Sequence, residues 1–345
     1  MIRLTSDSAK QNRFLKFGIA LLFFATTVLS LGYGVITVPP AELLEIIRDI
    51  ISGTVTNDDI YYDLIAYLRL PNLALAFLIG CGLAVCGAVM QAVMRNELAD
   101  PFLMGISSGA GLGAVLSIAL GLESAGVGLF AALGAFGASV LVLLIVTIFG
   151  KGDTLMFLLS GFAVNAACSS FMNVLITSLS DPRRTRSVQF WLMGSLMNND
   201  WTSVGILFVI ILAGTLFFAS QYRILDLMVM GDELSVTLGR NLALWRKVYI
   251  LVTAVMIGAI VYIAGMIGFV GLLTPHFIRL FVGAGHIRLI PLCALGGGCF
   301  LVWADVIGRN AIPGVAFPIG VTASLAGAPL FLWMLLKGRW AGHHD

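Results

Sequence analysis

The stretch Leu73-Ala74-Leu75-Ala76-Phe77-Leu78-Ile79-Gly80-Cys81-Gly82-Leu83-Ala84-Val85-Cys86-Gly87-Ala88-Val89-Met90-Gln91-Ala92-Val93-Met94 carries no charged side chain. A helix needs about 20 such residues to cross the ~30 Å hydrocarbon core of a bilayer, so this run is long enough to span it. Working outward, comparable apolar runs fall near 17–36, 102–122, 126–149, 155–179, 203–219, 247–267, 269–283, 290–308 and 317–336. The pattern predicts an all-α polytopic membrane protein of about ten transmembrane helices, with 1–345 forming a single transmembrane domain. Composition agrees. Hydrophobic residues make up 59% of the 345 and charged residues 11%, whereas soluble domains use roughly 25% charged residues, which excludes a soluble fold.

Between 247 and 283 the pattern leaves two readings open. Gly265, Gly268 and Gly271 followed by Pro275 mark either a tight turn between two helices or one broken, partly re-entrant helix. An even number of spans requires two helices and puts both termini on one side of the membrane. Arg3, Lys10, Arg13, Lys16, Arg95, Lys151, Arg223, Arg240, Arg246, Lys247, Arg279, Arg288, Lys337 and Arg339 fall on that side. Arg48, Arg69, Arg183, Arg184, Arg186 and Arg309 fall on the other. The positive-inside rule then predicts cytoplasmic termini, 1–16 and 337–345. The apolar run that starts at Phe17 exceeds a secretory h-region of about 7–15 residues, so it reads as an uncleaved first span.

Three hydrophilic segments are long enough to fold: 37–72 and 180–200 outside, and 220–246 inside. The inner one sets Asp226, Gly231, Asp232, Glu233, Gly239 and Arg240 among apolar residues. Their near-helical spacing suggests one or two short amphipathic helices along the membrane surface, the alternative being an ordinary interfacial loop. A net charge of +2 with no basic stripe excludes a nucleic-acid partner. Cys81, Cys86, Cys168, Cys293 and Cys299 lie in apolar runs without metal-site spacing and read as small packing residues. Ile79-Gly80 with Cys86-Gly87 is echoed by Ile257-Gly258 with Ala264-Gly265 in a span of opposite direction, a weak inverted repeat.

Few residues could carry chemistry. Gly105, Gly109 and Gly113 recur every fourth residue and favour close helix packing, while Ser107 and Ser108 between them could line a path or simply bond across helices. Asp305 and Arg309 at i, i+4 predict a local ion pair near the outer end rather than a proton relay. Intramembrane charges usually mark ion routes, so their scarcity counts against an ion-coupled transporter. His276 has no partner that would make it a metal or haem ligand, and His343 and His344 sit in the tail. No metal site or hydrolase motif occurs. There is also no G-x-x-x-x-G-K-[ST] phosphate loop, so ATP-driven transport would need a separate ATPase, with 220–246 as its place to dock.

Several stretches together resemble the permeases that import iron-siderophores, haem and cobalamin, the large-permease class of ABC importers. They are Leu68-Arg69-Leu70-Pro71, Arg95-Asn96-Glu97-Leu98-Ala99-Asp100-Pro101, Gly105-Ile106-Ser107-Ser108-Gly109-Ala110 and Phe190-Trp191-Leu192-Met193-Gly194-Ser195. Gly268-Phe269-Val270-Gly271-Leu272 with Pro275-His276 and Arg279, and Gly327-Ala328-Pro329, complete the set. The resemblance covers nearly the whole chain. It implies a ten-helix subunit of the bacterial inner membrane that pairs with a second copy or a homologous permease around a central path. Two cytoplasmic ATPases, which bind the ATP and Mg, lie below, and a periplasmic or lipid-anchored substrate-binding protein lies above. The chain itself would hold no cofactor and catalyse nothing. Cargo would be a ferric siderophore, with haem or cobalamin as alternatives. An ATP-independent secondary transporter is the rival class, and an intramembrane enzyme a poorer one.

The resemblance also assigns residues. Gly231, Asp232, Ser235, Leu238 and Gly239 match the ATPase-coupling motif, which usually reads G-E-x-x-A-x-x-L-G. Arg69 and Arg309 match arginines that meet glutamates of the binding protein, a contact an Arg fork makes bidentately. Asn96, Leu98 and Thr154 match a cytoplasmic gate. The chain departs from the family pattern at Asn72, Glu97, Gly285 and Ala316, where Arg, Pro, Asp and Glu are usual.

Overall fold

A computed structural model describes residues 27, 30–32, 36–52, 60–122, 124–149, 154–179, 181–196, 200–231, 242–312, 315 and 317–341. Thirteen α-helices occur among them: α1 (Pro40–Ser52), α2 (Ile60–Asp63), α3 (Leu70–Met94), α4 (Ile106–Ala119), α5 (Ser124–Phe149), α6 (Thr154–Ser178) and α7 (Pro182–Leu192), followed by α8 (Trp201–Ser220), α9 (Tyr222–Met230), α10 (Leu242–Ala264), α11 (Val270–Val282), α12 (His286–Asn310) and α13 (Ile319–Ala341). Six helical stretches are long and apolar enough to cross a membrane, and three shorter apolar helices, α4, α11 and the apolar part of α13, join them. The expected first span, 17–36, lies largely outside the described residues.

Two boundaries differ from expectation, each for a local reason, and one open reading is decided. The helix containing α3 starts at Ile60 instead of about 73, because α2 runs through a π-helical turn, Leu64–Arg69, directly into α3. Pro71 has no N–H to offer and lies in the first turn of α3; the wider turn before it lets the Leu70 N–H bond to Ile65 O, so the helix continues past the proline. The third span shortens because Pro101–Met104 form a 3-10 turn and Gly105 adopts φ +77° before α4 begins. Between 247 and 283 the chain forms two helices. Gly265 at φ +69° ends α10, and residues 265–269 cross to α11.

The core is built on α3, whose apolar window is 83% buried. It packs on α12, α11, α8 and α10. Glycine makes the closest approaches. A Cβ on Gly80 would lie 2.1 Å from Gly297 O, and one on Gly87 1.8 Å from Gly271 O, so α3 touches α12 and α11 backbone to backbone. Lipid tails are as apolar as leucine, so such packing, rather than the hydrophobic effect, holds helices together in a bilayer. The echoed glycines do different work: a Cβ on Gly258 would meet Ala132 O of α5 only at ordinary contact distance, 3.6 Å, and Gly265 makes the turn. A smaller cluster, Leu31, Val38, Leu43, Ile46, Tyr62, Ile65 and Ala66, gathers the start of the described chain and α1 against the π-helical turn.

Candidate functional site

The motif around Asn96 turns the chain out of α3. Arg95 takes a left-handed φ of +49° as the cap of α3, and its Nε donates to Met228 O of α9 at 3.0 Å. Asn96 closes the turn by accepting from Leu98 N (2.9 Å), and Leu98 stands 43% exposed at the tip. Glu97 Oε2 lies 3.3 Å from His276 Nδ1 of α11 without the alignment of a hydrogen bond. Asp100 then accepts from Phe102 N (2.8 Å) and caps the 3-10 turn. Burial pushes the Asp100 carboxyl up to about 6, the Phe102 N–H opposing the shift. Thr154 begins α6.

Past Gly105 the small residues divide into two roles. Gly109 and Gly113 pack on α5, where an added Cβ would sit 2.4 Å from Gly134 O and 2.0 Å from Phe130 O respectively. Gly105 is not on that helical face, because its left-handed backbone stands before α4. Ser108 turns back to bond Gly105 O (3.2 Å). Ser107 faces the other way, 3.1 Å from Met266 Sδ, and lines a cavity of about 610 Å³.

That cavity gathers the distant motifs. Asp100, Phe102 and Ser107 form one wall, Leu192 and Met193 at the end of α7 another, Met266 to Phe269 a third, and Gly320, Val321 and Ser324 of α13 a fourth. Phe269 holds φ +67°, a conformation that costs a bulky residue about 1–3 kcal/mol, and packs on Gly327 of α13. The volume lies within the roughly 300–1,000 Å³ range of small-molecule sites. Its polar groups are few, and Ser324 bonds Gly320 O (2.8 Å) within its own helix. An apolar wall of this kind suits passage better than tight binding. Among the described residues no group of three or more His, Cys, Asp or Glu could hold a metal.

Helix α6 forms an exposed flank of the bundle, only 22% of its apolar window being buried. Asn165, Ser169, Asn173 and Thr177 follow one another at four-residue spacing on its half-exposed or exposed side. Thr177 Oγ1 donates to Val174 O (2.9 Å) within the helix, whereas amide side chains such as Asn165 and Asn173 are expensive against lipid tails.

At the α3 start, Arg69 is 4% exposed, and its guanidinium donates to the carbonyls of Leu31 and Ile36. Arg309 is 19% exposed, pairs with Asp305 on its own helix and donates to Ser30 Oγ at 2.8 Å. Both arginines thus hold their own chain. Trp201 Nε1 donates to Ala66 O (3.1 Å) at the same end. Arg183, Arg184 and Arg186 of α7 are exposed; Arg184 donates to Ala119 O (3.1 Å) and Arg186 lies 5.5 Å over the Phe190 ring.

At the opposite end, α9 is the amphipathic helix expected within 220–246, and Gly231 follows it at φ +114°. Asp232, Ser235, Leu238 and Gly239 lie outside the described residues. Two contacts were missed by pattern reasoning. Asp226 Oδ1 sits 2.6 Å from His286 Nδ1 and accepts from His286 N at 2.9 Å. Gln91, buried in α3, donates to Leu272 O (3.2 Å) and accepts from Arg279. The one clue to the second was a polar residue inside an apolar span.

The model of the FecCD transport family matches residues 21–337. The hemin transport system permease protein HmuU of Yersinia pestis is 39% identical over 83% of this chain and 87% of its own length. The vitamin B12 import system permease protein BtuC of Klebsiella pneumoniae is 34% identical over 99% of both. A solved structure of a metal-chelate type ABC transporter in an inward-facing conformation superposes with a TM-score of 0.83 at 30% identity, covering 94% of this chain and 99% of that one.

Proposed function

This chain belongs to the FecCD transport family and is an ABC importer permease, and from that premise we propose that it carries an iron chelate across the bacterial inner membrane by alternating access, driven by separate ATPases. The observation that carries the reading is the polar stripe Asn165, Ser169, Asn173 and Thr177 on the exposed side of α6. In a lone subunit this stripe would face lipid. Against a second copy, or a homologous permease, it faces a shared polar path and the cost disappears. No α6 residue lines the cavity of about 610 Å³ on the Ser107 side of α4, so the reading rests on the stripe and not on that cavity.

In this mechanism the chain contributes no catalytic chemistry. Two cytoplasmic ATPases bind ATP and Mg and press on the segment Gly231–Gly239, whose Asp232, Ser235 and Leu238 complete the coupling motif. Asn96, Leu98 and Thr154 close the inner mouth, with both termini on that side. A periplasmic or lipid-anchored binding protein docks acidic lobes on the opposite end, on Arg309 and the exposed arginines of α7. Arg69 would join by exchanging the carbonyls of Leu31 and Ile36 for a partner carboxylate. The cargo of the first reading is a ferric siderophore. Haem is the second, favoured by the 39% identical relative named for hemin transport.

The test is purification of the tagged chain from its native host in mild detergent. Two ATPase copies per permease dimer, and uptake in liposomes only with ATP and the binding protein, are expected. Robust uptake by the chain alone would refute the proposal. The chelate retained by the cognate binding protein then identifies the cargo.

A further inference from the structure

Helix α9 is fastened at two points on two different helices. Asp226, on its second turn, accepts from both the backbone N–H and the ring of His286, the first residue of α12. His286 is 1% exposed while the Asp226 side chain keeps 32% exposure, so the pair sits at the edge of the packing with its ring side buried. Near its C-terminus, α9 presents the Met228 carbonyl to Arg95 Nε, just beyond the end of α3. Leu225, next to the first point, and Met228, at the second, are buried. Gly231, at φ +114°, follows at once and releases the chain into the segment proposed to meet the ATPase.

The two helices that hold α9 are themselves joined without intervening side chains. Gly80 of α3 and Gly297 of α12 approach so closely that a Cβ on either would lie 2.1 or 2.3 Å from the other's carbonyl oxygen. At 25 residues each, the two helices run about 37 Å. At their far ends Arg69 and Arg309 grip the chain around Ser30, Leu31 and Ile36. Rigid elements with fixed contacts at both ends are what can carry a displacement across such a distance.

We propose that Asp226, His286 and Arg95 form a latch that locks α9 to the α3–α12 pair, so that a push on the segment after Gly231 moves this pair as one lever. Asp226 and Arg95 are positioning residues: they touch neither cargo nor nucleotide. The proposal rests on the importer reading for its direction of force, while the latch itself stands on this chain's geometry.

Two measurements test it. In the reconstituted complex with its ATPases and binding protein, Asp226→Ala should lower cargo delivered per ATP hydrolysed at least tenfold. Asp226→Asn, which keeps an oxygen to accept from His286, should restore that ratio to within threefold of wild type. An unchanged ratio in Asp226→Ala, or a ratio equally poor in both variants, overturns the latch. Spin labels at Val229 and Ile287 in the lone chain in nanodiscs give the second readout, independent of any ATPase. Their distance distribution should broaden in Asp226→Ala and stay narrow in Asp226→Asn; distributions identical in all three proteins overturn the latch as well. Failure of an ATPase to assemble with the wild-type chain would instead refute the importer reading, leaving the distance measurement to judge the latch.

Discussion

Replacing Gly80 by alanine tests the packing of α3 on α12 with a single methyl group. The new Cβ would lie 2.1 Å from Gly297 O, 2.6 Å from Gly297 C and 2.9 Å from Gly298 Cα, all backbone atoms that cannot rotate away. Real Cβ atoms essentially never come within 3.0 Å of a neighbour, so the carbonyl must retreat by at least 3.0 − 2.1 = 0.9 Å. The helices can part only by loosening the contacts on either side, including the Gly298–Phe77 and Gly297–Ala84 neighbours. Overpacking a well-filled interior costs about 1–3 kcal/mol, and a rigid backbone contact belongs at the upper end. The control is Gly205→Ala on α8, where an added Cβ meets nothing within 4 Å; helix propensity alone favours alanine there by roughly 1 kcal/mol. Thermal unfolding of both variants in the same detergent reads the difference. Gly80→Ala should lower Tm by several degrees, and Gly205→Ala should leave it level or raise it. Equal Tm values for the two variants would refute the backbone-contact argument.

Arg69→Ala should destabilise the chain by about 1–3 kcal/mol, because two carbonyls lose a charged donor in a buried setting; chemical or thermal unfolding measures it, and a neutral variant would show that the grip on Leu31 and Ile36 adds nothing. Burial raises Asp100 from 3.8 to about 6, so its contribution to stability is full below pH 4 and is lost as pH rises through 6. Wild type should therefore gain stability on acidification from pH 7 to 5 relative to Asp100→Asn, which keeps an acceptor for Phe102 N; parallel pH profiles would contradict the assignment. Cysteine placed at Asn173 should react with a water-soluble maleimide in membranes at least tenfold faster than cysteine placed at Val209, an exposed apolar position on α8; equal rates would mean that the α6 stripe does not border water.

The apolar runs read as spans because hydropathy is a sum over about twenty residues and needs no knowledge of neighbours. The boundaries that moved did so where one residue's backbone chemistry prevailed over that sum. Leu64–Arg69 widened into a π-helical turn before Pro71, and Gly105 turned left-handed before α4. The site was less legible. Gly105, Ser107, Ser108 and Gly109 are neighbours in sequence, yet only Ser107 lines the cavity, while Gly109 packs on α5 and Ser108 folds back on Gly105. Which face of a helix meets a path depends on what stands opposite. Here those partners are Met266, Met193 and Ser324, from three separate parts of the chain.

Arg69 and Arg309 show the same division. Their place at one end of the bundle follows from charge placement along the chain. That they hold Leu31, Ile36, Ser30 and Asp305 could be known only once those residues had been brought beside them. The sequence by itself determined that the chain is an all-helical membrane protein, since solvent preference is local and additive, and its ordered motifs carried the resemblance to the permease family. The tertiary structure alone decided which glycines are contacts, which serine lines the cavity and that Asp226 meets His286. Those outcomes turn on distances of a few ångströms between residues far apart in the chain.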